Sequence, residues 1–147
     1  MSDSRELWLA VRQALLHALD RQELVDTLLN GQGLVAHSPI LPGTWANDPT
    51  AKQYAYDPER ARQLLDEAGW KDSDGDGVRD RDGVKLAFVL LGNDQELIGA
   101  LSQAWADIGV QVTPETVSLP GLTQDFLTPR TFDAALVHWD LPGDPDP

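Results

Sequence analysis

The chain has 147 residues, 24 acidic against 11 basic, and no cysteine. A net charge of −13 argues against a nucleic-acid or anionic-membrane surface, both of which need a basic footprint, and favours a cation or a partner with basic groups. The missing cysteines exclude disulfides, thiolate metal sites and thiol nucleophiles, and no apolar run approaches the roughly 20 residues that a membrane helix needs.

In chain order, residues 1–4 read as a start added ahead of the natural sequence, and no secretion signal is legible there. Leu7, Val11, Ala14, Leu15, Ala18 and Leu19 recur at helical spacing and predict a first helix over Glu6–Leu19. Asp20 breaks that stripe and stands three residues before Glu23, the spacing of a capping box. A second helix therefore follows, with Leu24, Val25, Leu28 and Leu29 inward and Asn30-Gly31 as its stop. Residues 31–56 carry too many glycines and prolines for regular structure, yet Leu34, Ile40, Leu41, Trp45, Tyr54 and Tyr56 predict an ordered, partly buried connection.

Residues 57–91 organise the rest. Asp57 is placed to cap a helix, Pro58 suits its first turn, and Ala61, Leu64, Leu65 and Ala68 form its buried stripe. Gly69 is the expected stop and Trp70 an apolar anchor. An acid-rich turn through Gly83 precedes Leu86–Leu91, which reads as a strand buried on both faces. Asn93 and Glu96 have capping-box spacing for a helix to Ile108, with Leu97, Ile98, Leu101, Ala104 and Trp105 inward and Gly109 as its stop. Val110–Thr116 alternates as a strand, Pro120 opens a short helix through Phe126 and Leu127, and Phe132–Trp139 reads as a third strand before a polar tail. The order β-α-β-α-β predicts an α/β fold: a small, mostly parallel sheet flanked by helices, with right-handed crossovers.

Two constellations carry chemistry. Asp72, Asp74, Asp76 and Asp80 occupy positions one, three, five and nine of a calcium loop, with the Val78 carbonyl at seven. Position twelve is Gly83 instead of a bidentate glutamate, and a strand follows instead of a helix. The residues therefore support two readings, a calcium-stabilised structural module and a tight turn held by Asx hydrogen bonds. The second constellation is Trp139 with Asp140, Asp144 and Asp146, just past the C-terminal end of a strand, where open α/β sheets place their ligands. An aromatic wall beside carboxylates suits an amine or another cation. Its alternative is a core tryptophan followed by a polar segment. His17 and His138 have no spaced second ligand and read as structural, and Asp66-Glu67 as a solvated helix face. No nucleophile elbow, zinc-protease motif or phosphate loop exists, so nothing argues for an enzyme. A carboxylate-pair hydrolase would require Asp140 and Asp144 to face each other in one cavity.

Several strings add a resemblance: VRQALLHALDRQELVDTLL at 11–29, Ser38-Pro39 with Pro42-Gly43, YDPERARQLLDEAGW at 56–70, Asp74-Gly75-Asp76-Gly77 before a strand, Phe132-Asp133 through Trp139, and GDPDP at 143–147. In this order they resemble the family 5 extracellular solute-binding proteins of ABC importers, the oligopeptide, dipeptide and nickel binders. The resemblance implies a lobe of the periplasmic binding protein type II kind: residues 5–139 as the second of two lobes and 140–147 as a hinge crossing. It implies a non-enzymatic solute carrier, peptide being the expected ligand, that works with the first lobe and a membrane permease, in the periplasm or outside the cell. No cofactor is required, calcium being the one candidate ion. In peptide-binding members a tryptophan and a following aspartate contact the ligand. Trp139 matches the former; the usual spacing puts the latter at Pro142, which leaves Asp144 and Asp140 as candidates.

Overall fold

A computed structural model describes residues 4–40 and 42–138. Its order is α1 (Ser4–His17), α2 (Arg21–Leu28), α3 (Pro58–Glu67), β1 (Asp80–Arg81), β2 (Val84–Lys85), β3 (Ala87–Gly92), α4 (Gln95–Ala106), β4 (Gln111–Thr116), α5 (Leu119–Gly121) running into a π-helical turn (Leu122–Leu127), and β5 (Ala134–Leu136). Strands β4, β3 and β5 form a three-stranded parallel sheet in that order, Phe88 standing opposite Val112 and Leu91 opposite Ala135. Pro114 lies in β4, where its missing N–H is harmless because β4 is an edge strand. The α/β class and the parallel order agree with the sequence pattern.

Strand β3 separates two layers. Phe88 and Leu90 face the main core, which α1, α3 and α4 close with Val11, Ala14, Leu65, Ile98 and Trp105. Val89 and Leu91 face the opposite way, into a hollow shared with Phe126 and Phe132. The two-faced burial expected of this strand holds at its C-terminal end, Leu90–Gly92, whereas Ala87 is exposed. The Trp105 indole N–H donates to the Leu15 carbonyl at 2.9 Å and ties α4 to α1.

The helix signals are read out atom by atom. The Asp57 carboxylate accepts from the Arg60 N–H, and that of Asp20 accepts from the Glu23 N–H. Helix α3 ends in a Schellman motif: the Trp70 N–H reaches the Leu65 carbonyl and the Gly69 N–H that of Asp66, which requires the positive φ of 83° at Gly69.

Four expectations need correction. Helix α4 is capped by Asp94, whose carboxylate accepts from the Leu97 N–H, and not by Asn93, whose side chain is taken up elsewhere. The 31–56 connection is pinned mainly by polar contacts, Arg21 donating to the carbonyls of Ala36 and Tyr54 and His17 pairing with that of Ala55, while of the six apolar residues expected to be partly buried Tyr54 is, edge-on to His17, and Leu41 lies outside the described residues. Leu34 and Trp45 are 78% and 99% exposed. Strand β5 is shorter than Phe132–Trp139 because only Ala134–Leu136 finds partners on β3. Finally, the strand after the acid turn starts with a β1–β2 hairpin that periodicity did not show. Its Asp82-Gly83 turn has positive φ at both residues, and an Asp-Gly pair is the sequence signal that marks such a turn.

Candidate functional site

The C-terminal ends of β3 and β5 lie side by side, with Gly92 opposite Leu136. At Gly92 the chain turns into α4, and a Cβ there would overlap Ile98 and press on the Leu136 carbonyl. Only glycine permits this approach of helix to strand. The next residue, Asn93, reaches across. Its Nδ2 donates to the His138 carbonyl at 2.5 Å, and its Oδ1 accepts from the His138 N–H at 2.7 Å. This two-point clamp sets where the chain leaves the sheet, one residue before Trp139. His138 is half exposed and its Nδ1 stands 3.5 Å from the Asp94 carboxylate. Its main chain, not its ring, makes the contacts that tie it to Asn93.

Trp139, Asp140 and Asp144 lie outside the described residues. What is visible is the edge that leads to them. Between α2, the start of α4 and the end of β5 this edge holds a hollow of about 380 Å³, walled by Leu24, Val25, Leu28 and Leu97 and rimmed by Asp94 and Glu96. Sequence reading missed Asn93 as the clamp, because capping-box spacing supplied it with a local role that Asp94 fills instead.

The acid turn is a separate structure. Asp72 accepts from the Gly75 and Gly77 N–H groups, Asp74 from that of Asp76, and Asp76 from that of Val78. Asp80 accepts from the Ser73 N–H and hydroxyl. The Lys85 ammonium sits between Asp74 and Asp76 at 2.7 and 2.8 Å. Hydrogen bonding from Lys85 holds the Asp74 carboxyl below its ordinary range, and Ser73 does the same for Asp80. The Asp74 and Asp76 carboxylates, both hydrogen-bonded to the ammonium, raise Lys85 above the usual lysine range. Oxygens of Asp72, Asp74 and Asp80 come within 4.8 Å of one another, a donor set suited to a hard cation. The lysine from β2 already answers part of that charge. Asp66, read as a solvated face, pairs with Arg79, whose Nε also donates to the Ile108 carbonyl at 2.8 Å and whose Nη1 donates to that of Trp70 at 2.7 Å.

The family model of the bacterial extracellular solute-binding proteins, family 5 Middle, matches residues 8–147. The chain belongs to this family. The oligopeptide-binding protein AppA of Bacillus subtilis is 36% identical over 144 residues, 92% of this chain but 26% of AppA. Its structure in complex with a nonapeptide superposes with a TM-score of 0.81 at 37% identity, over 90% of this chain and 28% of that one. NikZ of Campylobacter jejuni, solved with Ni(L-His), gives a TM-score of 0.78 at 35% identity over 93% of this chain and 27% of its own. Heme-binding protein A of Haemophilus influenzae is 31% identical over 106 residues, 72% of this chain and 19% of its own. The chain thus spans about a quarter of the length of its oligopeptide-binding relative. These structural neighbours have the periplasmic binding protein type II fold, and the small parallel sheet flanked by helices agrees with it. Among the described residues no helix is long and apolar enough to cross a membrane.

Proposed function

We propose that this chain is the second lobe of the solute-binding component of an ABC importer, acting outside the cytoplasmic membrane, with a peptide as its solute. Residues 5–139 form the lobe and 140–147 the crossing to a first lobe. The observation that supports this reading is the edge itself: the Asn93 clamp fixes the exit of the chain at the C-terminal side of a parallel sheet, where ligands of open α/β folds bind. Trp139 supplies an aromatic wall and Asp144, with Asp140 as its alternative, pairs with the ligand amine. Capture is reversible and drives closure of the two lobes, a membrane permease receives the solute, and no bond is made or broken.

The test is a calorimetric peptide titration of the longer protein that contains this chain. Trp139→Ala and Asp144→Asn are each expected to weaken binding roughly tenfold or more, the loss of one charged hydrogen bond or one buried ring. Unchanged affinity in both variants would sink the assignment. The 147-residue chain alone is expected to show no micromolar isotherm, because half a cleft leaves most of the ligand in water.

The acid turn supports a second, structural reading. The converging carboxylates of Asp72, Asp74 and Asp80 fit calcium, together with Asp76 and the Val78 carbonyl once Lys85 swings out. Melting with and without calcium tests it. A rise in Tm that Asp74→Asn plus Asp76→Asn removes is the expected result, and a Tm indifferent to calcium would leave the lysine-bridged turn as the whole account.

A further inference from the structure

Strand β5 is three residues long, and a side chain ties it to β3 at each end. Before its start the Asp133 carboxylate accepts from the Val89 N–H at 3.1 Å. Past its end the ladder stops, with Gly92 opposite Leu136, and the Gly92 carbonyl accepts from the Val117 N–H on the β4 side. Here β3 gives way to α4, so no further strand residue stands opposite His138. The Asn93 carboxamide takes that place, donating to the His138 carbonyl and accepting from the His138 N–H. A carboxamide offers the same donor and acceptor as a peptide unit, so the clamp acts as one more rung of the sheet. Asn93 is available for it because Asp94 caps the helix.

We propose that Asn93 is a positioning residue for solute capture: it keeps the chain rigid with the lobe through His138, so that the pivot of lobe closure begins beyond that residue. The proposal rests on the ligand site assigned above and names the group that holds it ready; Asn93 acts through the His138 main chain and touches no ligand. One hydrogen bond would leave His138 free to swing about it. Two bonds, to the N–H and the carbonyl of the same residue, fix its orientation before the solute arrives. Without them both groups turn to water and His138 samples many orientations. Only the fraction that delivers the next residue correctly then binds, and the apparent Kd rises by the inverse of that fraction. The cap of α4 and the core packing are untouched, so the loss falls on capture and not on the fold.

The experiment pairs amide hydrogen exchange, followed by NMR on this chain, with peptide titration of the longer protein that contains it. Both are made with Asn93→Ala and with Asn93→Leu, which keeps the bulk of the side chain without its hydrogen bonds. In each variant the His138 amide is expected to lose roughly tenfold in protection while the amides of β3 and α4 keep theirs, and Kd is expected to rise roughly tenfold. Asp57→Ala, at the far cap of α3, is the control and should lower stability with affinity unchanged. If affinity survives both Asn93 substitutions while Trp139→Ala weakens it, the positioning role is overturned and the ligand site stands. If Trp139→Ala and Asp144→Asn also leave affinity unchanged, the ligand site fails and the proposal with it. Affinity kept by Asn93→Leu but lost in Asn93→Ala would make the role one of packing and overturn the proposal. So would protection lost throughout β3 and α4, which marks a purely structural residue, or protection of His138 kept in both variants.

Discussion

Helices α2 and α3 are built from the same instructions and end up in different places. Each starts at an aspartate whose carboxylate accepts an N–H three residues on, and each ends at a positive-φ residue, Asn30 or Gly69. Each carries an apolar stripe. Yet α3 buries Ala61, Leu64 and Leu65 against α1, while α2 buries none of its residues. The difference teaches that a stripe states which side of a helix avoids water, not what covers it. In α3 the sheet and α1 supply the cover. In α2 the cover is left incomplete at the sheet edge, next to the proposed ligand site.

The sharpest way to break this comparison is truncation within the two stripes. Leu65→Ala removes a fully covered side chain and is expected to cost about 2–5 kcal/mol in denaturant melts. Leu28→Ala, by the same chemistry, should cost about 1 kcal/mol or less, because its side chain keeps contact with water. Equal losses would mean that α2 is as deeply packed as α3.

Between these extremes lie the polar ties. Arg79→Leu strands the carbonyls of Ile108 and Trp70, and the side chain is only 12% exposed, so a loss of about 2–3 kcal/mol is expected from chemical denaturation. The two caps provide an internal control: Asp57→Ala and Asp20→Ala should each cost about 1 kcal/mol, since capping is local and indifferent to what covers the helix.

The smallest effect belongs to the acid turn, whose charges are in contact with water. Asp74 titrates below its ordinary 3.8 in the folded state, so its contribution is present above that value and lost as pH falls through the depressed one. Lys85 titrates above its ordinary 10.5, so its contribution is full below that value and lost only as pH rises beyond it. Lys85→Met should therefore flatten the Tm against pH at both ends and reduce its sensitivity to salt, which circular dichroism melts would register. A Tm profile unchanged by the substitution would show that Asx hydrogen bonds alone hold the turn.

Much of this was legible in the residues. Capping aspartates, stop glycines and stripe spacing are local properties, so Asp20, Asp57, Gly69 and Gly109 mark helix ends without knowledge of the fold. Apart from the Asp82-Gly83 hairpin, whose turn signal is local, the misreadings concern choices between partners. Asn93 and Asp94 are both competent caps, and the nearby His138 main chain, 45 residues on, takes Asn93 and leaves Asp94 for the helix. Trp45 and Leu34 are apolar, but glycine and proline punctuation lets their loop be pinned by Arg21 through main-chain carbonyls. Lys85 is distant by eleven residues from Asp74, and only the β1–β2 hairpin folds it back onto the acid turn.

By itself, the sequence determined the helices, most of their ends and the parallel order of the strands, because these follow from periodicity, capping and turn chemistry within a few residues, and its longer strings carried the resemblance to the family. Tertiary structure alone decided which stripe was covered, which asparagine became a clamp and which cation met the aspartates, because each is a contest among distant groups that only their juxtaposition resolves.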